Sequence, residues 1–245
     1  MSQNLKSTLP HEFSQKKQSD TYSGTYFDAL YNDNNDPWQY QTRWYEKRKR
    51  DMCLAVLPQA EYVNAIELGC GNGVFSELLA HRCQNLLSID GNYQAVQLAK
   101  QRLANFSGLK VLQGVIPSAL YTLNESVQNA YLSLDNSNPS QPINLKYDLI
   151  VISEILYYLS LADIETVMTW IEQNLAVGGT LLCCHWRYEI EGFKMTGETV
   201  HQRLQQAFNQ DHSAFNLQSQ LIDSDFLLDV WQYSTQTVAM QENLV

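Results

Sequence analysis

No stretch of this chain runs for about eighteen consecutive apolar residues, the length a helix needs to cross a bilayer, so none of it reads as membrane-spanning. The opening residues, Met1 to Gln18, lack the apolar middle of a secretory leader. Positive charge is scarce: 16 Lys and Arg stand against 26 Asp and Glu, a formal net charge of -10. A nucleic-acid footprint needs clustered cations that displace counterions from phosphates. The single basic run, Arg43 with Lys47, Arg48, Lys49 and Arg50, is too short for a polymer, although it can serve a carboxylate. Cysteine is sparse as well. The five cysteines (Cys53, Cys70, Cys83, Cys183, Cys184) show no Cys-x-x-Cys spacing, and four lie in or beside apolar elements. That pattern argues against a metal centre or a disulfide framework and suits free, buried thiols in a reducing cytoplasm.

What is present is an alternation of strand and helix signals. Strands are expected at Asn64 to Leu68, Leu86 to Ile89, Leu109 to Gln113 and Tyr147 to Ser153, the last a continuous apolar run suited to a strand covered on both faces. A helix from Thr42 to Leu57, stopped by Pro58, precedes them. Helices are expected at Gly73 to Arg82 and along the stripe Ala95, Val96, Ala99, Leu103 and Phe106. A capping box, Ser160-Leu-Ala-Asp163, opens another. Gly178-Gly179 is expected to end that helix and release a strand from Thr180 to Trp186. After a helix at Thr199 to Phe208, the strands Phe215 to Ile222 and Phe226 to Ser234 flank a short turn and must be antiparallel. The fold class is α/β: a doubly wound, Rossmann-like, mostly parallel seven-stranded sheet closed by a C-terminal antiparallel hairpin. At 245 residues, a mobile polar extension (1–30) and one domain (31–245) are expected, with a solvated polar insertion at about 121–146.

Ligands of such sheets bind beyond the carboxyl ends of the strands. The first strand ends in Glu67-x-Gly69-x-Gly71-x-Gly73, and the second ends in Asp90 followed by Gly91. Glycine lets the backbone turn tightly and approach a ligand closely. An acid at the second strand's tip is placed to accept from ribose hydroxyls. A dinucleotide fold wants Gly-x-Gly-x-x-Gly, but here the third glycine comes one residue early. Glu67 would repel a pyrophosphate and suits a cationic or amine-bearing ligand. The remaining strand ends offer Gly114, Val115 and Ile116; Ser153 and Glu154; and His185, Trp186 and Arg187.

Glu-x-Gly-x-Gly-x-Gly, with Asp90 and the late hairpin, resembles the class I S-adenosylmethionine methyltransferases from about Asp36 to Tyr233. The resemblance implies S-adenosyl-L-methionine as cofactor and S-adenosyl-L-homocysteine as product. It implies a cradle of Glu67, Gly69, Cys70, Gly71 and Gly73 at the methionine half, with Asp90 and Gly91 at the ribose. Gly114, Val115 and Ile116 would lie along the adenine, and Ser153 at the methionine end. Arg48 is the candidate for the cofactor carboxylate, which a guanidinium matches in bidentate fashion, and Trp38 and Tyr45 are candidates to cover the sulfonium or the adenine.

Five segments together resemble a narrower group, the nodulation protein S type of methyltransferase. They are Asp36-Pro-Trp38, Trp44-Tyr-Glu-Lys-Arg48, Ser153-Glu-Ile-Leu-Tyr-Tyr-Leu159, His185-Trp-Arg187 and Thr196-Gly-Glu-Thr-Val-His201. That group methylates the amine of a glucosamine-containing oligosaccharide. The resemblance implies N-methylation of a small amine or amino sugar, with small-molecule O-methylation and a non-catalytic binding protein as the alternatives. Glu154 and His185 are the expected acid-base pair, since an amine must be unprotonated to attack. Tyr157, Tyr158, Trp186, Arg187 and His201 are the expected acceptor contacts. The segment after Ser153 is not the Asn/Asp-Pro-Pro-aromatic loop of base N-methylation, and no Pro-Cys pair exists for cytosine chemistry. No metal ligands are expected, and the oligomeric state is not legible.

Overall fold

Apolar runs become the inner strands of one mixed sheet. The computed structural model describes residues 22, 24–123, 146–210, 213–234 and 236–245. The strands are β1 (Tyr62–Leu68), β2 (Cys83–Asp90), β3 (Leu109–Gln113), β4 (Tyr147–Ser153), β5 (Leu175–Trp186), β6 (Asn216–Ile222) and β7 (Phe226–Gln232). They lie in the order β3-β2-β1-β4-β5-β7-β6. The first five are parallel, and β7 runs antiparallel to both β5 and β6.

The helices are α1 (Gly24–Asp33), α2 (Trp44–Ala55), α3 (Val74–Ala80), α4 (Tyr93–Arg102), α5 (Leu161–Asn174), α6 (Gly197–Phe208) and the short α7 (Val238–Gln241). Alternate strand residues feed opposite faces of the sheet. Ile150 and Ile152 pack with Ile164, Val167 and Ile171 of α5 and Val200 and Leu204 of α6. Leu149 and Val151 pack on the other face with Cys53 of α2 and Phe75 and Leu79 of α3. Helix starts are capped by side chains that satisfy amides with no intrahelical partner. Asn92 accepts from Ala95 N–H, Ser160 from Asp163 N–H and Thr196 from Thr199 N–H. No helix among the described residues is long and apolar enough to cross a membrane.

Three expectations are corrected. β5 begins at Leu175, directly after α5, and absorbs the two glycines. Its pairing with β4 slips between Tyr147 and Leu149, Gly178 takes a left-handed φ of 80°, and Gly178 N–H donates to Tyr233 O at 2.8 Å. β1 and β2 start earlier than their apolar runs, at Tyr62 paired with Cys83, because the second residue of each strand, Val63 and Gln84, is exposed and interrupts the run. The segment expected to lack order up to residue 30 contains α1, whose Phe27 and Tyr31 stand one turn apart and both pack on Trp38. The mobility expected of the remaining N-terminal residues, and most of the polar insertion, lie outside the described residues.

The carboxyl ends of β1, β2 and β4 open on one edge of the sheet. There the strand order reverses between β1 and β4, the position that leaves a crevice in doubly wound sheets.

Candidate active site

The crevice is shaped first by backbone. Gly69 has φ 79°, and a Cβ there would lie 2.9 Å from Ile155 Cβ, so only glycine lets the turn after β1 pass the loop after β4. Asp90 holds that turn: Gly71 N–H donates to its Oδ2 and Asn92 N–H to its Oδ1, both at 2.8 Å. Burial pushes the Asp90 carboxyl up, against the pull of those two amides. The cleft encloses about 610 Å³ of space including its open mouth. Its walls are aromatic, from Tyr22, Phe27, Tyr31, Trp38, Tyr40, Tyr157 and Tyr158, and its charged wall groups are Asp90, Glu46 and Glu154.

Beneath the glycine turn lies Glu67, 2% exposed. It accepts from Ser76 Oγ in a short contact and from Ser88 Oγ at 3.0 Å. Burial pushes its pKa up to about 7, while the two hydroxyls oppose the rise.

Glu154 follows β4 in a left-handed conformation, φ 62°, which costs a non-glycine residue on the order of 1 kcal/mol. Three neighbours stabilise it. Its N–H donates to Cys184 O at 2.9 Å, its Oε2 accepts Trp186 N–H at 3.2 Å, and its Oε1 accepts Lys49 Nζ at 2.8 Å. The Tyr157 hydroxyl also donates to it in a short contact. Lys49 lies 3.1 Å from Glu46 as well. Burial works against the Lys49 charge, but Glu154 and Glu46 outweigh it and hold the ammonium protonated above its ordinary range.

Arg50 donates through Nη2 to Tyr40 O at 2.7 Å. Its Nη1 lies 3.6 Å from Glu46 Oε2, yet Nε and Nη1 make no hydrogen bond among the described residues although both are buried. Tyr31 Oη and Asn72 Oδ1 are likewise buried without partners. Buried donors and acceptors left unmatched beside a glycine turn fit a ligand that brings a carboxylate and an ammonium, as the methionine half of S-adenosylmethionine does. The residues present therefore suit that group.

Most of the expected site converges here. Gly69, Gly71, Asp90, Gly91, Trp38, Ser153, Glu154, Tyr157 and Tyr158 line the cleft, and Glu67 and Cys70 line its continuation toward Arg50. Gly114 N–H donates to Asp90 O, and Ile116 follows it in the same loop. Val115 stands beside Gly91, 3.5 Å from where a Cβ would be. Gly73 serves packing: its Cβ position is 3.0 Å from the backbone of Ala99 in α4.

Other expected residues stand elsewhere. Arg48 binds Asp223 at 2.6 Å in the β6–β7 turn; a helix rotates about 100° per residue, and it is Lys49 and Arg50 that face the crevice. Tyr45 packs edge-on against Trp186, and Trp186 against Tyr188. Arg187 binds Glu198 at 2.6 Å and donates to Asp223 O. His185 and His201 are buried on the α6 side of the sheet and line neither part of the cleft, so His185 is not placed to take a proton from an acceptor. Burial first, with His201 and Lys49 beside it, holds His185 well below the ordinary imidazole pKa. Sequence reading overlooked Tyr22, Phe27, Tyr31, Tyr40, Glu46, Lys49, Arg50 and Asn92. The aromatic recurrence from 22 to 40, and Glu46 placed three and four residues before Lys49 and Arg50, were the available signals.

This strand order, the glycine turn and the acid at the tip of β2 define a class I S-adenosylmethionine-dependent methyltransferase fold. The solved structures agree. A candidate methyltransferase of Pseudomonas syringae is 34% identical, covering 77% of this chain and 99% of its own, with a TM-score of 0.57. The N-methyltransferase NodS of Bradyrhizobium japonicum WM9, solved in complex with S-adenosyl-L-homocysteine, is 25% identical over 87% of this chain and all of its own, with a TM-score of 0.66. The family model of nodulation protein S (NodS) matches residues 29–117. Nodulation protein S of Rhizobium tropici is 31% identical over 150 residues, 60% of this chain and 54% of that protein. The chain is thus similar to nodulation protein S over part of its length, and it spans little more than half the length of that curated relative.

Proposed function

We propose that this protein is a cytoplasmic S-adenosylmethionine-dependent N-methyltransferase acting on a small amine or amino sugar. The cytoplasmic location is favoured by its free thiols, which suit a reducing compartment. The observation that carries the activity is the wall of the cleft: aromatic faces and carboxylates, with the cations Lys49 and Arg50 set back in its continuation. Aromatic faces and carboxylates favour an ammonium over a neutral hydroxyl compound.

S-adenosylmethionine, when bound, supplies a methyl group on a cationic sulfur. Arg50 is placed to hold its carboxylate, the turn Gly69 to Gly71 to admit its backbone-like half, and Asp90 to face its ribose. The Tyr157 hydroxyl donates to Glu154, which leaves its oxygen lone pairs free for an acceptor N–H. Burial, with Glu154 beside it, pushes the Tyr157 pKa well above its ordinary value, so the hydroxyl keeps its proton. Glu154 is the group in the wall that can draw the ammonium proton away, and Lys49 Nζ, 2.8 Å from its Oε1, holds the carboxylate in position.

The test is methyl transfer from labelled S-adenosylmethionine to glucosamine, to short glucosamine oligomers and to their hydroxyl analogues. Glu154→Gln should lower kcat about 100-fold or more, the usual range for losing a proton-transfer group, with S-adenosylhomocysteine binding retained. Turnover of the hydroxyl analogues in preference to the amines would move the reading to O-methylation. Cofactor binding without turnover of any acceptor would favour a binding protein, and unchanged turnover in Glu154→Gln would remove that residue's role.

A further inference from the structure

Asp229, His201 and His185 form a buried file behind the cleft, each 2% exposed or less. Leu156 N–H donates to His185 Nε2 at 3.3 Å, which makes Nε2 the lone-pair nitrogen and leaves the ring proton on Nδ1. That nitrogen lies 3.1 Å from His201 Nε2. His201 must then carry its own proton on Nδ1, which faces Asp229 Oδ2 at 2.8 Å. Gln205 Nε2 donates to the same oxygen at 2.9 Å. Every ring nitrogen has one partner of the opposite kind. Reversing either tautomer sets two N–H groups or two lone pairs face to face.

The open end of this file is the loop that carries the site. Leu156 begins the helical turn Leu156–Tyr158, directly between Glu154 and Tyr157. Three consecutive residues of β5 hold that loop: Cys184 through its carbonyl to Glu154 N–H, His185 through Nε2 to Leu156 N–H, and Trp186 through its N–H to the Glu154 carboxylate. The middle contact is the one that depends on a tautomer. Glu154 needs such support because its left-handed backbone is unfavourable for a non-glycine residue.

We infer that His185, His201 and Asp229 are positioning residues of the methyl-transfer site: the carboxylate sets the tautomer of His201, His201 sets that of His185, and His185 fixes the loop bearing Glu154 and Tyr157. The inference rests on the function proposed above for Glu154, and the tautomers can be read without it. Protonation of His185 would turn an N–H toward that of Leu156 and release the loop. The titratable and charged groups facing the two rings are Lys49 of α2, Tyr157 of the helical turn and Asp229 of β7.

The experiment uses the full chain labelled with 15N-histidine, read by long-range 1H–15N correlation at pH 7.5. Both rings should be neutral with the proton on Nδ1. A wild-type His185 protonated on Nε2 overturns the inference whatever the enzyme's activity. His201→Leu removes the acceptor for His185 Nδ1–H, whereas His201→Gln keeps an acceptor and a donor. With a turned-over acceptor amine, His201→Leu should weaken the hold on the Nδ1–H tautomer of His185, so that the Nε2–H form becomes populated as the Leu156 contact opens. It should lower kcat roughly 10- to 100-fold while the S-adenosylhomocysteine Kd and the acceptor KM move less than about threefold, the split expected when only transition-state alignment is lost. Its acid limb of kcat should shift to higher pH, and His201→Gln should restore most of the rate. A tautomer change in His201→Leu with unaltered kcat refutes the positioning role. If that variant does not fold, the wild-type spectrum and the rate of His201→Gln decide. Absence of turnover by wild type, with the expected tautomers present, would count against the methyl-transfer reading and leave the file itself standing.

Discussion

Among single residues, Arg50 and Arg48 show how little separates a ligand contact from a surface pair. The basic run was legible as a carboxylate partner, but its phase was not: neighbouring positions on a helix point about 100° apart, and no local property of the run says which one faces the crevice. Arg50→Gln should weaken S-adenosylhomocysteine binding about 10- to 100-fold, the loss of a charged hydrogen bond. Arg48→Gln should leave binding within about threefold; calorimetric titration of both variants checks the contrast. His185 was misplaced for a related reason. It sits at a strand's carboxyl end, where the crevice rule applies, but strand alternation sends its side chain to the α6 face. Glu67 allows a pH prediction. The folded protein keeps its proton up to about pH 7, whereas an unfolded chain releases it near 4.5. The stability it contributes is therefore complete below pH 4.5 and lost as pH rises through 7. Glu67→Gln should show a smaller fall in urea midpoint between pH 5 and pH 8 than wild type.

Among elements, the strands buried on both faces were the easiest to read. The Tyr147 to Ser153 run matches β4 end to end, because a covered strand must be apolar throughout, and Leu109 to Gln113 matches the half-exposed edge strand β3. The amino ends of β1 and β2 escaped notice because residues such as Val63 and Gln84 face outward and break the run. Helix α1 was hidden by its composition: its buried contacts are nearly all aromatic, at a spacing that reads as polar sequence with occasional tyrosines. The α3–α4 contact offers a test of element packing. Gly73 combines φ 79° with a Cβ position 3.0 Å from the Ala99 backbone, which cannot retreat cheaply. Gly73→Ala should cost about 1–3 kcal/mol, seen as a lower urea midpoint with an unchanged slope.

For the molecule as a whole, a mostly parallel sheet closed by an antiparallel hairpin was legible from the alternation of periods, while the order of the strands and the lining of the cleft were not. The lining is assembled from α1, α2 and the loops after β1, β2 and β4, segments distant in the chain, and only folding brings Tyr31, Glu46 and Glu154 to one cavity. Both layers of helices meet the sheet through cores that share β1, β4 and β5, so loss of either layer bares one face of strands on which the other layer also depends. Unfolding should be a single transition, with intrinsic fluorescence and far-ultraviolet dichroism coinciding in urea.

The cysteines give that cooperativity a clock. All five thiols are free of disulfides and four are buried, and burial pushes the thiol of the half-exposed Cys83 up to about 12, which leaves little of it as thiolate at neutral pH. Cys183 and Cys184 sit side by side at the centre of β5 and face opposite cores. A thiol reagent added to the native protein consequently reaches Cys183 and Cys184 only when the sheet parts, and equal rates of incorporation at these two adjacent atoms would date the opening of both layers to one event.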